Sequence, residues 1–129
     1  MTRVLSVCAS GLLAVLATAG GSCAQTAAAP AKPAYYISEF HVNDPEGIKP
    51  YSAQVESILR PFGGRFVVRG GGSIASLEGP EQHDRVVIIA FDSMEKARAW
   101  YNSPEYSRLR PIRHRTATSR VYIVEGLPL

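Results

Sequence analysis

The alternation of apolar and polar positions is clearest from residue 34 onward. Residues 34–42 (AYYISEFHV) are aromatic and β-branched and stop at an Asn-Asp-Pro turn signal, which predicts a strand. Between residues 48 and 62 the apolar side chains recur at spacings of three and four. This spacing predicts an amphipathic helix whose regular part runs from about Pro50 to Arg60. A proline and a pair of glycines follow and end the helix.

Three further strands are predicted in the rest of the chain. Residues 65–69 (RFVVR) form the second strand, which the glycine run at 70–72 breaks or bulges and which residues 73–78 (SIASLE) are expected to continue. Residues 85–91 (RVVIIAF) give the strongest strand pattern in the sequence. Residues 120–125 (RVYIVE) predict the last strand, closed by a glycine.

Two helical segments are predicted between those last two strands. An Asp-Ser pair at 92–93, followed by a glutamate three residues after the aspartate, predicts a capped helix start. Ser103-Pro104 restarts a helical segment, with serine as the cap and proline at the first helical position. We expect this segment to end at Pro111, because proline removes a backbone hydrogen bond, and residues 112–118 to be irregular.

The resulting order, β-α-β-β-α-β, is typical of a ferredoxin-like α+β fold with a four-stranded antiparallel sheet and the helices on one face. Such a sheet should alternate between apolar and polar residues, since only one face meets the helices. Residues 86–91 are all apolar instead, so both faces of that strand need cover. No segment of the chain remains to cover the second face, and we therefore expect a homodimer that forms a dimeric α+β barrel.

The first 33 residues have a different pattern, that of an exported protein. One positive charge, Arg3, precedes 16 apolar or small residues (4–19), which is short for a membrane span. Ser22 and Ala24 fit the small-residue pattern of a cleavage site before Gln25. The predicted organisation is a signal peptide (1–24), a flexible linker (25–33) and a dimeric α+β barrel domain (34–129).

Cleavage before Gln25 predicts a periplasmic or secreted protein of 105 residues, and a lipid anchor at Cys23 is the alternative. Both cysteines, Cys8 and Cys23, lie in the leader, so the cleaved protein has no disulfide and no thiol nucleophile. It carries 13 basic and 11 acidic side chains, a net charge of +2. This charge is too small to favour a nucleic acid partner, and we expect no membrane association once the leader is removed.

From Ala34 to Gly126 the chain resembles a family of bacterial domains of unknown function, the one numbered 1330, in the dimeric α+β barrel superfamily. The segments that carry the resemblance are AYYI at 34–37, GGRFVVRGG at 63–71, LEG at 77–79, RVVIIAF at 85–91, ARAWYNSPEY at 97–106, Arg113 and VEG at 124–126. The resemblance implies this fold without a substrate, because related barrels include cofactor-free monooxygenases, lactone isomerases and haem enzymes. The export leader, Pro50 and Pro111 depart from the family's usual pattern.

Three groups of residues are candidates for a ligand-binding site. Trp100, Tyr101 and Tyr106 form either core packing or the aromatic wall of a pocket. Arg69 and Glu78 flank the glycine-rich bend, where they either pair with each other or meet a ligand that approaches the glycine backbone.

The third candidate is Arg113, which matches the family pattern and suits an anionic or carboxylate ligand. His41 shares a strand face with Glu39, and the pair is a candidate for acid–base catalysis; a surface histidine is the simpler interpretation. The three histidines share no metal-ligand spacing, so we predict no metal site and no cofactor.

Three functions remain open from the sequence. The first is an exported barrel that binds a small aromatic or acidic ligand. The second is a cofactor-free enzyme of the monooxygenase or isomerase type, with His41 or a tyrosine as its proton carrier. The third is a structural envelope protein that acts only as a dimer.

Overall fold

The computed structural model describes residues 29–82 and 84–128. The predicted signal peptide with Cys8 and Cys23, residues 25–28 of the predicted linker, His83 and Leu129 lie outside the described residues. The strands are β1 (Ala34–Val42), β2 (Arg65–Arg69), β3 (Arg85–Phe91) and β4 (Ala117–Glu125), and the helices are α1 (Lys49–Leu59), α2 (Met94–Tyr101) and α3 (Pro104–Thr116). A single 3₁₀ turn, Arg60–Phe62, extends α1.

The four strands form one antiparallel sheet in the order β2-β3-β1-β4. The two central strands, β1 and β3, are therefore adjacent although α1 and β2 separate them in sequence. This arrangement, with the helices on one face, is the predicted ferredoxin-like α+β fold, and it is confirmed.

One face of the sheet packs against all three helices. On β1 the alternate residues Ala34, Tyr36 and Ser38 are buried on this side, at 0%, 2% and 3% exposure. Their core partners come from every helix and from β3, and the largest fully buried side chains are Trp100, Tyr36, Tyr106, Phe91, Leu59 and Ile89. The helices are thus held to the sheet mainly by aromatic packing.

The opposite face of the sheet carries apolar side chains with no element of the described chain above them. Ile37, Val86 and Ile88 are half-buried there, while Tyr122 and Val124 on β4 are 40% and 44% exposed. We refer to this surface as the open sheet face. It is the pattern that the continuous apolar run in the third strand predicted.

Two local predictions are wrong. Residues 73–78 do not continue β2, because Gly70 and Gly71 take left-handed φ angles of 82° and 75° and turn the chain into an exposed loop. Helix α3 does not end at Pro111 but continues to Thr116, and β4 begins directly afterwards.

Helix α3 continues past Pro111, and the side chains that it buries beyond this proline are polar. The residues of α3 that face the core are Tyr106, Leu109, Arg113 and Thr116, at spacings of three and four. Thr116 reinforces the last turn by donating its hydroxyl hydrogen to the carbonyl of Ile112 at 2.6 Å. Across residues 29–82 and 84–128, no helix has both the length and the apolar character that a membrane crossing requires.

Candidate functional site

A cavity of about 250 Å³ lies between α1 and the helix-facing side of the sheet. The strands form the floor of the cavity. Helix α1 and Ile48, the residue before it, form the roof, and Arg113 of α3 closes one end. The lining residues are Tyr36, Ser38, Phe40, Ile48, Tyr51, Ser52, Val55, Phe66, Arg69, Arg85, Val87, Ile89 and Arg113.

Strand register explains why these floor residues lie together. Ser38 is paired with Val87 on β3, and Phe40 is paired with Arg85 on β3 and with Ser119 on β4. Because alternate residues of a strand face the same side, Ser38 and Phe40 both point toward the helices. The floor therefore changes from phenol and hydroxyl groups near Tyr36 to cationic groups near Phe40.

Arg113 is the most unusual member of the lining. It is only 3% exposed, yet no Asp or Glu carboxylate lies within 4 Å of it in the described part of the chain. One terminal nitrogen donates to Ser119 Oγ, the other lies 3.4 Å from His114 Nε2, and Nε has no hydrogen-bond partner. A buried cation without a counter-ion is costly, since the desolvation penalty is several kcal/mol for each ion.

Ser38 presents a second unsatisfied group to the same cavity. Its side chain is 3% exposed, and its Oγ makes no hydrogen bond of good geometry among the described residues, although it is close enough to the Tyr36 hydroxyl to lower the pKa of that group. Buried hydroxyl groups are normally paired, and those left unpaired in native structures often mark a functional position. Within residues 29–82 and 84–128, three buried side-chain atoms lack a hydrogen bond of good geometry: Ser38 Oγ, Arg113 Nε and Trp100 Nε1.

Three tyrosine hydroxyls form a cluster beside the guanidinium group of Arg113. Tyr106 Oη lies 3.1 Å from Tyr51 Oη and 3.5 Å from Tyr36 Oη. The cap of α3 fixes Tyr106, whose backbone N–H donates to Ser103 Oγ at 3.2 Å. Tyr36 and Tyr51 line the cavity, while Tyr106 lies behind them and connects their hydroxyls.

Burial controls the protonation of this cluster. It raises the pKa of Tyr51 to about 12, and it raises the pKa values of Tyr36 and Tyr106 as well, with neighbouring phenols adding to the effect. Burial by itself lowers the pKa of Arg113, but the attraction of the tyrosinates outweighs it and leaves this pKa raised. At neutral pH the inner end of the cavity therefore holds the Arg113 cation beside neutral tyrosine hydroxyl groups.

Two more arginines lie where the cavity opens. Arg69 is ion-paired with Glu56 at 2.7 Å, and its guanidinium carbon lies 4.3 Å above the centre of the Phe66 ring. Hydrogen bonds from Arg69 and Arg60 hold the pKa of Glu56 below its usual value. Arg85 lies across the floor from Arg69, in the outermost row of cavity residues.

The predicted site residues are divided between the cavity and its surroundings. Arg69 and Arg113 line the cavity, and Tyr106 supports it through its hydroxyl. Trp100 is fully buried in the core, with its ring centre 4.2 Å from that of Tyr106. Tyr101 lines a second, more open cavity of about 310 Å³ on the other side of Tyr36.

Glu78 and His41 lie away from the cavity. Glu78 is exposed in the loop after β2, and Arg69 pairs with Glu56 rather than with it. His41 is exposed at the end of β1 on the open sheet face, where its Nδ1 lies 3.2 Å from Asp84 Oδ1. Its neighbour on that face, Glu39, pairs with Arg120.

Sequence reasoning did not select Tyr36, Ser38, Tyr51 or Arg85. Tyr51 falls in the apolar series between residues 48 and 62, and that pattern gives no indication that its hydroxyl group faces a cavity. Ser38 did carry a usable signal, because it is the polar exception in the buried series Ala34, Tyr36, Ser38. A small polar residue at an inward strand position is expected to have a partner or a function.

Comparisons with known proteins agree with this fold. A family model described as a domain of unknown function (DUF1330) matches residues 33–127. No curated protein matches the chain.

Several solved structures share the architecture, and two of them illustrate the likeness. One is a protein of unknown function from Rhodopseudomonas palustris, with a TM-score of 0.60 and 20% identity, covering 75% of this chain and 84% of that one. The other is SnoaB, a cofactor-independent oxygenase from Streptomyces nogalater, with a TM-score of 0.53 and 14% identity, covering 77% of this chain and 97% of that one. At these identities the likeness establishes the fold alone.

Proposed function

The chain belongs to the family of domains of unknown function DUF1330, and this family supplies no activity. From the cavity itself we propose that the protein binds a small acidic molecule with an apolar, aromatic body. The acid group lies against Arg113 and Ser38. The body lies along the apolar part of the cavity. This is the ligand-binding function among the three that the sequence left open.

The observation that carries the proposal is the buried guanidinium of Arg113 without a carboxylate among the described residues. A protein tolerates such a group when a ligand supplies the missing charge, and arginine matches carboxylate geometry through two parallel hydrogen bonds. Ser38 Oγ offers a further hydrogen bond at the same cavity.

The rest of the lining suits a flat apolar body. Val55 of α1 and Ile48, the residue before that helix, cover the cavity. The floor beneath them is formed by Val87, Ile89 and Phe66. Its volume of about 250 Å³ is near the lower end of ligand pockets, which hold roughly 300–1,000 Å³. A single aromatic ring with one or two substituents is the appropriate size.

The cofactor-free enzyme is the second candidate, and the hydroxyl cluster is what favours it. Tyr36 and Tyr51 can donate hydrogen bonds to a developing oxyanion such as an enolate. Their raised pKa values keep them protonated at neutral pH, so they act as donors and not as bases. The oxygenase activity of SnoaB is an activity on the same fold, and the geometry of this cavity supports binding more directly.

Calorimetric titration with benzoate tests the binding proposal. We expect saturable binding by the wild-type protein and at least about tenfold weaker binding by Arg113→Gln, since hydrogen bonds to charged groups contribute roughly 1.5–3 kcal/mol. The matched control is Arg108→Gln, which removes an exposed arginine from the same helix. Equal affinity of the Arg113→Gln and wild-type proteins, or no binding by either, contradicts the proposal.

The open sheet face supports a further proposal, that two copies of the chain associate through it. Ile37, Val86 and Ile88 form its centre, and the exposed side chains of Tyr122 and Val124 extend it. A contiguous apolar surface of this kind promotes association, and a second identical sheet has the matching shape. Two sheets packed face to face would make the predicted barrel.

Export remains a proposal that rests on the sequence. Its test is the intact mass of the protein isolated from the periplasm of a bacterial host. We expect a chain that begins at Gln25. A full-length chain retained in the cytoplasm, or a lipid-modified Cys23, contradicts cleavage at that position.

A further inference from the structure

We infer that the ligand of this cavity carries two negative charges, one bound by Arg113 and the other by Arg85. The inference rests on the proposed function and narrows its ligand class to small dicarboxylates with an apolar spacer. It follows from the number, pairing and spacing of the arginines around one cavity.

The charges that line the cavity do not balance. Arg69, Arg85 and Arg113 are its ionisable cationic side chains. Arg69 is ion-paired with Glu56 at 2.7 Å, a carboxylate that it shares with Arg60. The side chain of Arg85 makes no hydrogen bond, ion pair or ring contact with any other residue that the structure describes, and Arg113 has no carboxylate partner there. Two of the three lining arginines, Arg85 and Arg113, are therefore without a carboxylate partner among the described residues and are available to an anionic ligand.

The sheet register places these two cations on opposite sides of Phe40. Arg85 is the β3 partner of Phe40, and Ser119, which accepts the hydrogen bond from Arg113, is its β4 partner. Neighbouring strands are about 4.8 Å apart, so the backbone positions of Arg85 and Ser119 are about 10 Å apart. Arg85 and Arg113 both line the cavity, so a short ligand can approach both guanidinium groups.

The surface between the two cations is apolar. Phe40 and Val87 form the floor there, and Ile48 lies above it. An anion at each end with a flat hydrocarbon spacer between them matches this order of charges and apolar contacts. A molecule with one acid group would leave the Arg85 charge unused.

The two cations should contribute differently, because their exposure differs. Arg113 is 3% exposed, so its interaction with an acid group is screened little by solvent. Arg85 is exposed, and its contribution should be smaller and should weaken with added salt. Arg113 therefore provides most of the affinity for a first acid group, and Arg85 provides the additional affinity for a ligand with a second acid group.

Titrations with benzoate and with terephthalate, its para-dicarboxylate counterpart, test the inference at low ionic strength. We expect wild-type protein to bind terephthalate about tenfold more tightly than benzoate, as one additional charge-assisted hydrogen bond would give. Arg85→Gln should lower the affinity for terephthalate more than the affinity for benzoate, so that the ratio of the two affinities falls close to one. Arg108→Gln, with the same loss of charge at an exposed position outside the cavity, should keep the preference.

The outcomes separate this inference from the proposed function. If benzoate binding depends on Arg113 but terephthalate shows no preference, or keeps it in Arg85→Gln, the dianion inference is wrong and the acid-binding function stands. If neither compound binds to wild-type protein, both are wrong. A preference lost equally in Arg85→Gln and Arg108→Gln shows a general charge effect and also overturns the inference.

Discussion

Replacing Arg113 with methionine should stabilise the ligand-free protein while it weakens acid binding. Methionine fills similar space without a charge, and the arginine side chain is only 3% exposed. If Arg113 is present for a ligand, its burial is unfavourable in the empty protein, and removing the charge relieves that cost. If Arg113 holds the fold together, the same substitution must destabilise it.

The magnitude follows from the contacts of the guanidinium group. Desolvation of a buried ion costs several kcal/mol. Against this stands the hydrogen bond to Ser119, worth about 1.5–3 kcal/mol for a charged donor, and the weak contact with His114 at 3.4 Å. The Ser119 hydroxyl also loses its partner in the variant. We expect a net gain of about 1 kcal/mol in the free energy of unfolding, or roughly 4–8 °C in Tm.

Urea and thermal unfolding of dialysed, ligand-free proteins measure this gain. The control is Arg108→Met, which changes an exposed position of the same helix and should stay within about 0.5 kcal/mol of wild type. A loss of more than about 1 kcal/mol in Arg113→Met, with an unchanged control, would show that the guanidinium is a structural support.

Three further predictions concern the cavity and the open sheet face. Ser38→Ala removes an unpartnered buried hydroxyl, so benzoate binding should weaken about threefold to tenfold in calorimetry with no loss of stability. Because burial raises the pKa of Tyr51 to about 12, the folded state loses stability as the pH rises from about 10 through 12. Tyr51→Phe should reduce that alkaline loss in urea unfolding, and an unchanged pH profile would contradict the assignment. Ile88→Lys should convert a dimer to a monomer in light scattering, whereas Arg108→Gln should not, and a wild-type monomer would refute the association through this face.

The fold was largely predictable because its strands and its first helix have strong periodic patterns. The pattern predicts the third strand at residues 85–91, as observed, because six consecutive apolar residues, most of them β-branched, follow Arg85 between polar turns. Helix α3 was predicted too short because its stripe continues on Arg113 and Thr116, which an apolar pattern cannot detect. The composition of residues 73–78 predicts a strand, but the left-handed φ angles of Gly70 and Gly71 turn the chain away from β2, and composition does not reveal those angles.

The site was less predictable, because it depends on which side chains lack partners. Family resemblance selected Arg113, but its burial without a carboxylate follows only from the packing of α3 on β4. The relation between Arg113 and Arg85 depends on strand register, since Phe40 lies between partners on two different strands. Sequence order gives no indication that residues 28 positions apart face one cavity.

Nuclear Overhauser effects between benzoate and the protein test the location of the site most directly. We predict contacts from the benzoate ring protons to the methyl groups of Val55, Val87 and Ile89, which line the cavity around Arg113. These contacts should disappear in Arg113→Gln at the same benzoate concentration. Contacts to Met94 and Val121 of the second cavity, or contacts that persist in the variant, would contradict an acid site at Arg113.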